Sequence, residues 1–397
     1  MKRLGSIILW SAIAAAFIGP GTVTTAASAG AGFGLTLLWA VLFSVLATYV
    51  LQEAAARMSI ATGHDLAATL RRRYPAGIGK LLVMALVPGA ILLGCAAYEA
   101  GNILGGAAGA LLAIDVPREA VTLAIGGMAA ALLALGSPRR IAQAMAVLVA
   151  IMGAGFLLVA LTLAPSLTGL ARGLAIPAFP EGSGLIIIAL IGTTVVPYNL
   201  FLGSSLAQGE DLSLTRLGLV VAIGFGGIIT AAIVVVGSAL ADEFSFEALA
   251  QLLASELGEW ARYLLALGLF AAGLSSAVTA PLAAALTARG LFGAANDPRW
   301  TVTSTRFRLV WLSVLAIGLG FGLADVRPAA AIILAQAFNG LLLPLIAMFL
   351  LAAVNDRLLM GDKANGPLGN LAAGIVTLVA SGLGGFALWR VSAALIG

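Results

Sequence analysis

Runs of about twenty apolar residues recur along the whole chain, separated by short polar segments. Twenty residues rise about 30 Å as a helix, the thickness of a bilayer's hydrocarbon core. Eleven such runs stand out, near 5–29, 34–58, 82–113, 119–136, 141–164, 184–207, 215–240, 260–290, 307–324, 328–353 and 369–395. The pattern predicts an all-α polytopic membrane protein of about eleven spans, with a single transmembrane domain over 1–397. Two runs carry residues that a continuous helix does not tolerate. The first contains Gly19-Pro20-Gly21-Thr22 and the sixth contains Val196-Pro197-Tyr198-Asn199. Proline lacks the amide hydrogen and clashes with the preceding turn, so both helices are expected to break there. Hydrocarbon cannot satisfy the freed backbone groups, so such breaks survive only where they line an enclosed cavity or hold a ligand.

The two breaks sit at the openings of two sets of five spans, about 5–164 and about 184–353, with an extra helix at about 369–395. Five is odd, so the second set has the opposite orientation. This is an inverted 5+5 repeat, which puts a transporter site at the repeat interface near the midplane. The repeat rests on span count and break position, not on matched residues.

Composition agrees with the spans. The chain is 61% hydrophobic and 10% charged, against about 25% charged in soluble domains. Its 49 glycines suit close helix packing. The single cysteine, Cys95, excludes an intrachain disulfide and a multi-thiolate metal site. No signal-peptide cleavage site is evident. With the N-terminus inside, sixteen Lys and Arg fall in cytoplasmic segments and five outside, which selects that orientation and places the C-terminus outside. The sequence pI of 9.6 therefore reflects topology rather than nucleic-acid binding. Between Asp242 and Glu259 an acidic outer loop has amphipathic spacing. It could form a short helix over the outer mouth, although a solvated connector is the favoured reading. No nucleophile–base pair, phosphate-binding glycine loop or soluble nucleotide-hydrolysing domain is visible, so an enzyme is not expected.

The run Phe17-Ile-Gly-Pro-Gly-Thr-Val-Thr-Thr-Ala26, with Gly32-Phe-Gly-Leu-Thr-Leu-Leu-Trp39, resembles the first span and loop of the NRAMP divalent-metal transporters. Gln52, Ala56-Arg57, Ala61-Thr-Gly-His-Asp-Leu-Ala67, Gly273-Leu-Ser-Ser-Ala-Val-Thr279 and Leu334-Ala-Gln336 extend the likeness over almost the whole chain. The resemblance implies a LeuT-type fold working by alternating access. Its metal ligands do not carry over. The family's first-span Asp-Pro-Gly-Asn has Gly19 and Thr22 at the Asp and Asn positions. Its sixth-span Met-Pro-His has Val196 at the Met and Tyr198 at the His, and Gly203 replaces a further His. In the third span Glu99 is retained, while the Asp three residues earlier is Ala96.

A dication leaving water needs anionic ligands, and transition metals also want soft or imidazole donors. No transition-metal site is therefore expected. The outer half-helix begins instead with free amides and a positive dipole end, the arrangement that holds anions in broken helices. The expected substrate residues are Gly19, Gly21, Thr22, Thr193, Thr194, Tyr198 and Asn199. In the LeuT fold a sodium site lies between first-span carbonyls and adjacent eighth-span hydroxyls. Ser275 and Ser276, with Thr279 a turn on, occupy a comparable place, and Glu99 is a candidate proton relay or ion pathway.

These residues point to sodium-coupled uptake of a small anion, bicarbonate first. The alternative is a divalent metal such as Mg²⁺ or Mn²⁺, proton-coupled or uncoupled. A third possibility is a transport-dead sensor or passive pore. No cofactor beyond transported ions, chiefly Na⁺, is expected. The expected partners are the small inorganic ion and the lipid bilayer, with no nucleic acid and no obligate protein. The location expected is a bacterial inner membrane. Some polar residues have plainer readings: Glu53 as an ion pair with Arg57, His64 as a cap, Thr24, Thr25, Ser204 and Ser205 as backbone-bonded hydroxyls, and Gln336 and Asn339 as cavity lining or helix bridges.

Overall fold

Prolines and capping side chains decide where the helices of this chain begin. A computed structural model describes residues 18–135, 139–293 and 297–396. The inner part of the first span, 5–17, with Lys2 and Arg3, lies outside the described residues. In chain order the helices are α1 Pro20–Phe33, α2 Leu38–Thr62, α3 Leu66–Arg73, α4 Gly77–Leu111, α5 Arg118–Leu135, α6 Arg139–Thr162, α7 Leu167–Ala175 and α8 Gly184–Thr194. They continue as α9 Pro197–Leu206, α10 Leu212–Gly237, α11 Phe246–Leu257, α12 Trp260–Phe292, α13 Thr305–Leu323, α14 Pro328–Val354, α15 Arg357–Met360 and α16 Pro367–Ile396.

Proline opens α1, α9 and α14, where its missing N–H removes a donor that would have no partner anyway. Asp65, Ser166, Asp211, Ser245 and Ser304 cap α3, α7, α10, α11 and α13 through side-chain oxygens on the third following amide. Among the described residues no strand occurs, and ten spans are long and apolar enough to cross a membrane. The pair α8–α9 forms one of these, over Gly184–Leu206. Of the expected first span only α1, Pro20–Phe33, belongs to the described residues. The third is longer than expected, Gly77–Leu111 rather than 82–113.

Three helices depart from the sequence reading. The acidic outer loop is ordered as α11 rather than as a solvated connector, because Phe246, Leu249, Ala250 and Leu253 form one buried face. Neither α3 nor α7 was expected. Both, at 8 and 9 residues, are too short to cross a bilayer, so hydrophobic length does not reveal them.

Small residues carry the central packing. The two longest helices, α4 and α12, run against each other, and an ideal Cβ on Gly273 would stand 2.6 Å from the Gly106 Cα. Any larger side chain there would push the helices apart. Outward-facing leucines such as Leu46, Leu93, Leu161 and Leu378 stay exposed, as a lipid-facing surface requires.

Candidate functional site

The break in the sixth span falls where the sequence places it. After Thr194 the chain leaves the helix at Val195 (φ −93°, ψ 75°), is extended at Val196 (φ −84°, ψ 119°), and α9 restarts at Pro197. In the first span Gly19 is extended (φ −95°, ψ 177°) and α1 starts at Pro20. Neither start has a side-chain cap. The amide of Gly21 therefore heads α1, and that of Tyr198 heads α9, with no intrahelical acceptor. The Asn199 amide is used locally, donating to Val196 O at 3.0 Å.

The two breaks meet. Thr22 Oγ1 and Thr193 Oγ1 are 3.2 Å apart, a buried hydroxyl pair linking α1 to α8. Gly19, Gly21, Thr193, Thr194, Tyr198 and Asn199 are all buried around it. Thr194 is partly committed to structure: its hydroxyl donates to Leu190 O, and its carbonyl accepts from Thr48 Oγ1. Tyr198 stacks edge-on against Tyr98, with ring centroids 5.2 Å apart at 80°. Several other buried polar side chains near the breaks are unpaired. Asn199, Gln336 and Asn339 are buried, and neither polar end of any of the three has a hydrogen-bond partner. The Thr24 and Thr25 hydroxyls are also buried without partners, so the expected bonds to backbone are not made. Ser204 does behave as a structural hydroxyl, donating to Phe201 O and accepting from Leu66 N.

Gln336 lies over Gly21, its amide filling the space a Cβ on that glycine would take. Gln52 fills the corresponding space on Gly203. Neither Gln336 nor Asn339 bridges helices by hydrogen bonds. Gln336, Tyr98 and Gln52 join the site without having been singled out as substrate residues. The signal for each was a hydrogen-bonding group inside an apolar span.

The coupling-ion candidates divide. A Cβ on Gly19 would stand 3.6 Å from Ser276 Oγ and 3.9 Å from Tyr98 Oη, so Ser276 borders the first-span break. Thr279 instead donates to Ser275 O at 2.8 Å on its own helix. Glu99 is wholly buried and packs its stem on Gly318 of α13. One of its oxygens accepts from Asn102 at 3.3 Å and the other has no partner.

Glu53 forms the expected pair with Arg57 at 3.0 Å and a second with Arg216 at 2.7 Å. The capping reading of His64 is corrected. Asp65 caps α3, while the His64 carbonyl accepts from Ser59. Partial burial, then the charge of Arg72, hold the His64 imidazole below its ordinary pKa. Among the described residues no group of three His, Cys, Asp or Glu is placed to hold a metal.

Comparison with known proteins places this geometry in a lineage. Divalent metal cation transporters called MntH match it at 27% identity, one from Pectobacterium carotovorum and one from Yersinia enterocolitica. The first alignment covers 88% of this chain and 85% of the relative, and the second 94% and 91%. A crystallised mutant of the Eremococcus coleocola manganese transporter superposes with a TM-score of 0.77 at 19% identity, over 100% of this chain and 88% of that one. The L-phenylalanine complex of MhsT superposes at 0.63 and 15% identity, over 97% of each chain. At such identities the superpositions establish the fold, which is of the LeuT type. The profile described as natural resistance-associated macrophage protein-like matches residues 11–390, and the chain is a membrane transporter belonging to that family.

Proposed function

We propose that this transporter is secondary active, that it moves a small inorganic ion through the cavity where α1 meets α8 and α9, and that the ion is a singly charged oxyanion, bicarbonate first, taken up with Na⁺. One observation carries the anion reading. Two uncapped helix N-termini and a set of neutral hydroxyl and amide groups surround the breaks, with Gly19 where the family pattern has a carboxylate. Free amides at helix N-termini favour negative charge. Bicarbonate both donates and accepts hydrogen bonds, which suits the unpaired Asn199 and Gln336. Sodium takes neutral oxygen ligands, and Ser276 beside the first break with Ser275 supports a site for it there.

Kinship supports a second reading: a divalent cation such as Mg²⁺ or Mn²⁺, proton-coupled or uncoupled. The comparisons favour it over the anion, since relatives named as divalent metal cation transporters align over almost the whole chain. Against it stands the donor set. A dehydrating dication prefers carboxylates, and among the described residues the one fully buried carboxylate, Glu99, packs on α13. Charge counting further supports a cytoplasmic N-terminus and a bacterial inner membrane.

Uptake by proteoliposomes separates the two readings. Labelled bicarbonate is expected to enter under an inward sodium gradient, with Mn²⁺ and Mg²⁺ transported poorly. Replacing Ser275 and Ser276 together with Ala should remove the sodium dependence. Saturable Mn²⁺ or Mg²⁺ uptake, with none of bicarbonate, would give the metal reading the site.

A further inference from the structure

A second polar concavity lies well away from the breaks, where the extra helix α16 meets the bundle. It is a groove of 730 Å³ walled by α2, the start of α10, the 362–366 linker and the first turns of α16. Its polar end holds Arg57, Arg216 and Lys363 against Glu53 and Asp362, which leaves one net positive charge. Its other side is apolar, along Leu368 and Ala372 of α16.

The cations have different commitments. Arg57 is fully engaged. Its Nε donates to Glu53, one terminal nitrogen to Lys363 O and the other to Asn365 Oδ1. It pins the linker and so shapes the groove. Arg216 donates to Glu53 through Nε and Nη2, yet its side chain is 49% exposed and its Nη1 makes no hydrogen bond. The Lys363 ammonium joins no ion pair among the described residues. Two donors are thus free at the rim, at the end of the bundle that charge counting assigns to the cytoplasm. A soluble protein would leave such donors to water. Here the apolar wall leads away from them along the outer surface of α16, where Leu368 is 82% exposed and Leu371 61%.

We propose that this groove binds the headgroup of an anionic phospholipid of the cytoplasmic leaflet. Its phosphate would sit on Arg216 Nη1 and Lys363 Nζ, and its acyl chains would run over Leu368 and Ala372. Basic pockets between transmembrane helices on this side suit anionic headgroups, and the net charge matches one phosphodiester. The lipid would fasten α16, which stands outside the two repeats, to α2 and α10. This proposal is independent of which ion the transporter carries.

The test uses the full chain purified in detergent and follows its thermal unfolding as lipid is added. Dioleoylphosphatidylglycerol is expected to raise the unfolding temperature saturably, more than dioleoylphosphatidylcholine, and less so in high salt. Glycerol 3-phosphate should have no effect. Lys363→Gln, which disturbs no internal ion pair, should raise the half-saturating phosphatidylglycerol concentration about fivefold, and the Arg216→Gln/Lys363→Gln pair about twenty-five-fold. The proposal is overturned if phosphatidylcholine stabilises equally, or if Lys363→Gln responds like the wild type. It is also overturned if glycerol 3-phosphate alone reproduces the effect, which would make the groove a site for soluble phosphates.

Discussion

The buried cluster at the helix breaks and the ion network at the end of α2 both gather polar groups and treat them in opposite ways. Around Glu53 the buried charges are answered, with free donors only at the exposed rim: one carboxylate takes two arginines, and Arg57 adds the Lys363 carbonyl and Asn365. Around Gly19 and Val196 the reverse holds. Asn199, Gln336, Asn339, Thr24 and Thr25 are buried with donors and acceptors unmatched. Leaving one such group unpaired costs about 1–3 kcal/mol. A fold tolerates several together where something enters to pair with them. The paired region fixes the architecture, and on the proposed reading the unpaired one is kept for a substrate.

That contrast can be broken at several points. The largest effect is expected from Gly19→Asp. A Cβ at that position meets only ordinary contacts, at 3.6 Å and 3.9 Å, so the variant should fold. Its carboxylate would stand where an anion binds, and like-charge repulsion there should cost roughly a thousandfold or more in bicarbonate affinity. Full bicarbonate uptake by this variant would end the anion reading, and a gain in Mn²⁺ binding would transfer the site to the metal. Next comes Glu53→Gln, which strands Arg57 in a largely buried position. Breaking such a pair typically costs about 3–5 kcal/mol, so a clear drop in unfolding temperature is expected with substrate affinity unchanged. If affinity falls and stability does not, the assignment of the two regions is reversed. Thr22→Val is the mildest change. It removes one hydroxyl from the cavity and should weaken binding by about 1–3 kcal/mol, read by calorimetry with bicarbonate.

Much of this architecture is legible in the residues alone, for local physical reasons. Span positions follow from hydrophobic length, and both breaks fall at a proline, although Pro88, Pro281 and Pro344 lie inside unbroken helices, so proline alone does not mark a break. The surface helices are less visible. In α3 and α7 the informative residue is a single cap, Asp65 or Ser166, and the amphipathic stretch behind it is short. The cavity is half legible. Thr22, Tyr198 and Asn199 are marked by standing at the breaks. Gln336 and Tyr98 come from spans distant in sequence, and no local pattern says which helix face turns inward. Ser276 is legible as one of a Ser-Ser pair, but its nearness to Gly19 is a fact of packing.

The hydroxyl pair between Thr22 and Thr193 has a consequence for how tightly the protein can hold its cargo. These two groups bond to each other. On the proposed reading, an incoming ion that takes the proton shared between them displaces that internal contact, so recognition through that proton is an exchange and not an addition. The protein carries its own weak competitor, tethered in place. Such a competitor lowers affinity in the loaded state and re-forms as the ion departs, which helps release on the far side. A carrier that must let go in every cycle gains more from this than from the strongest possible grip.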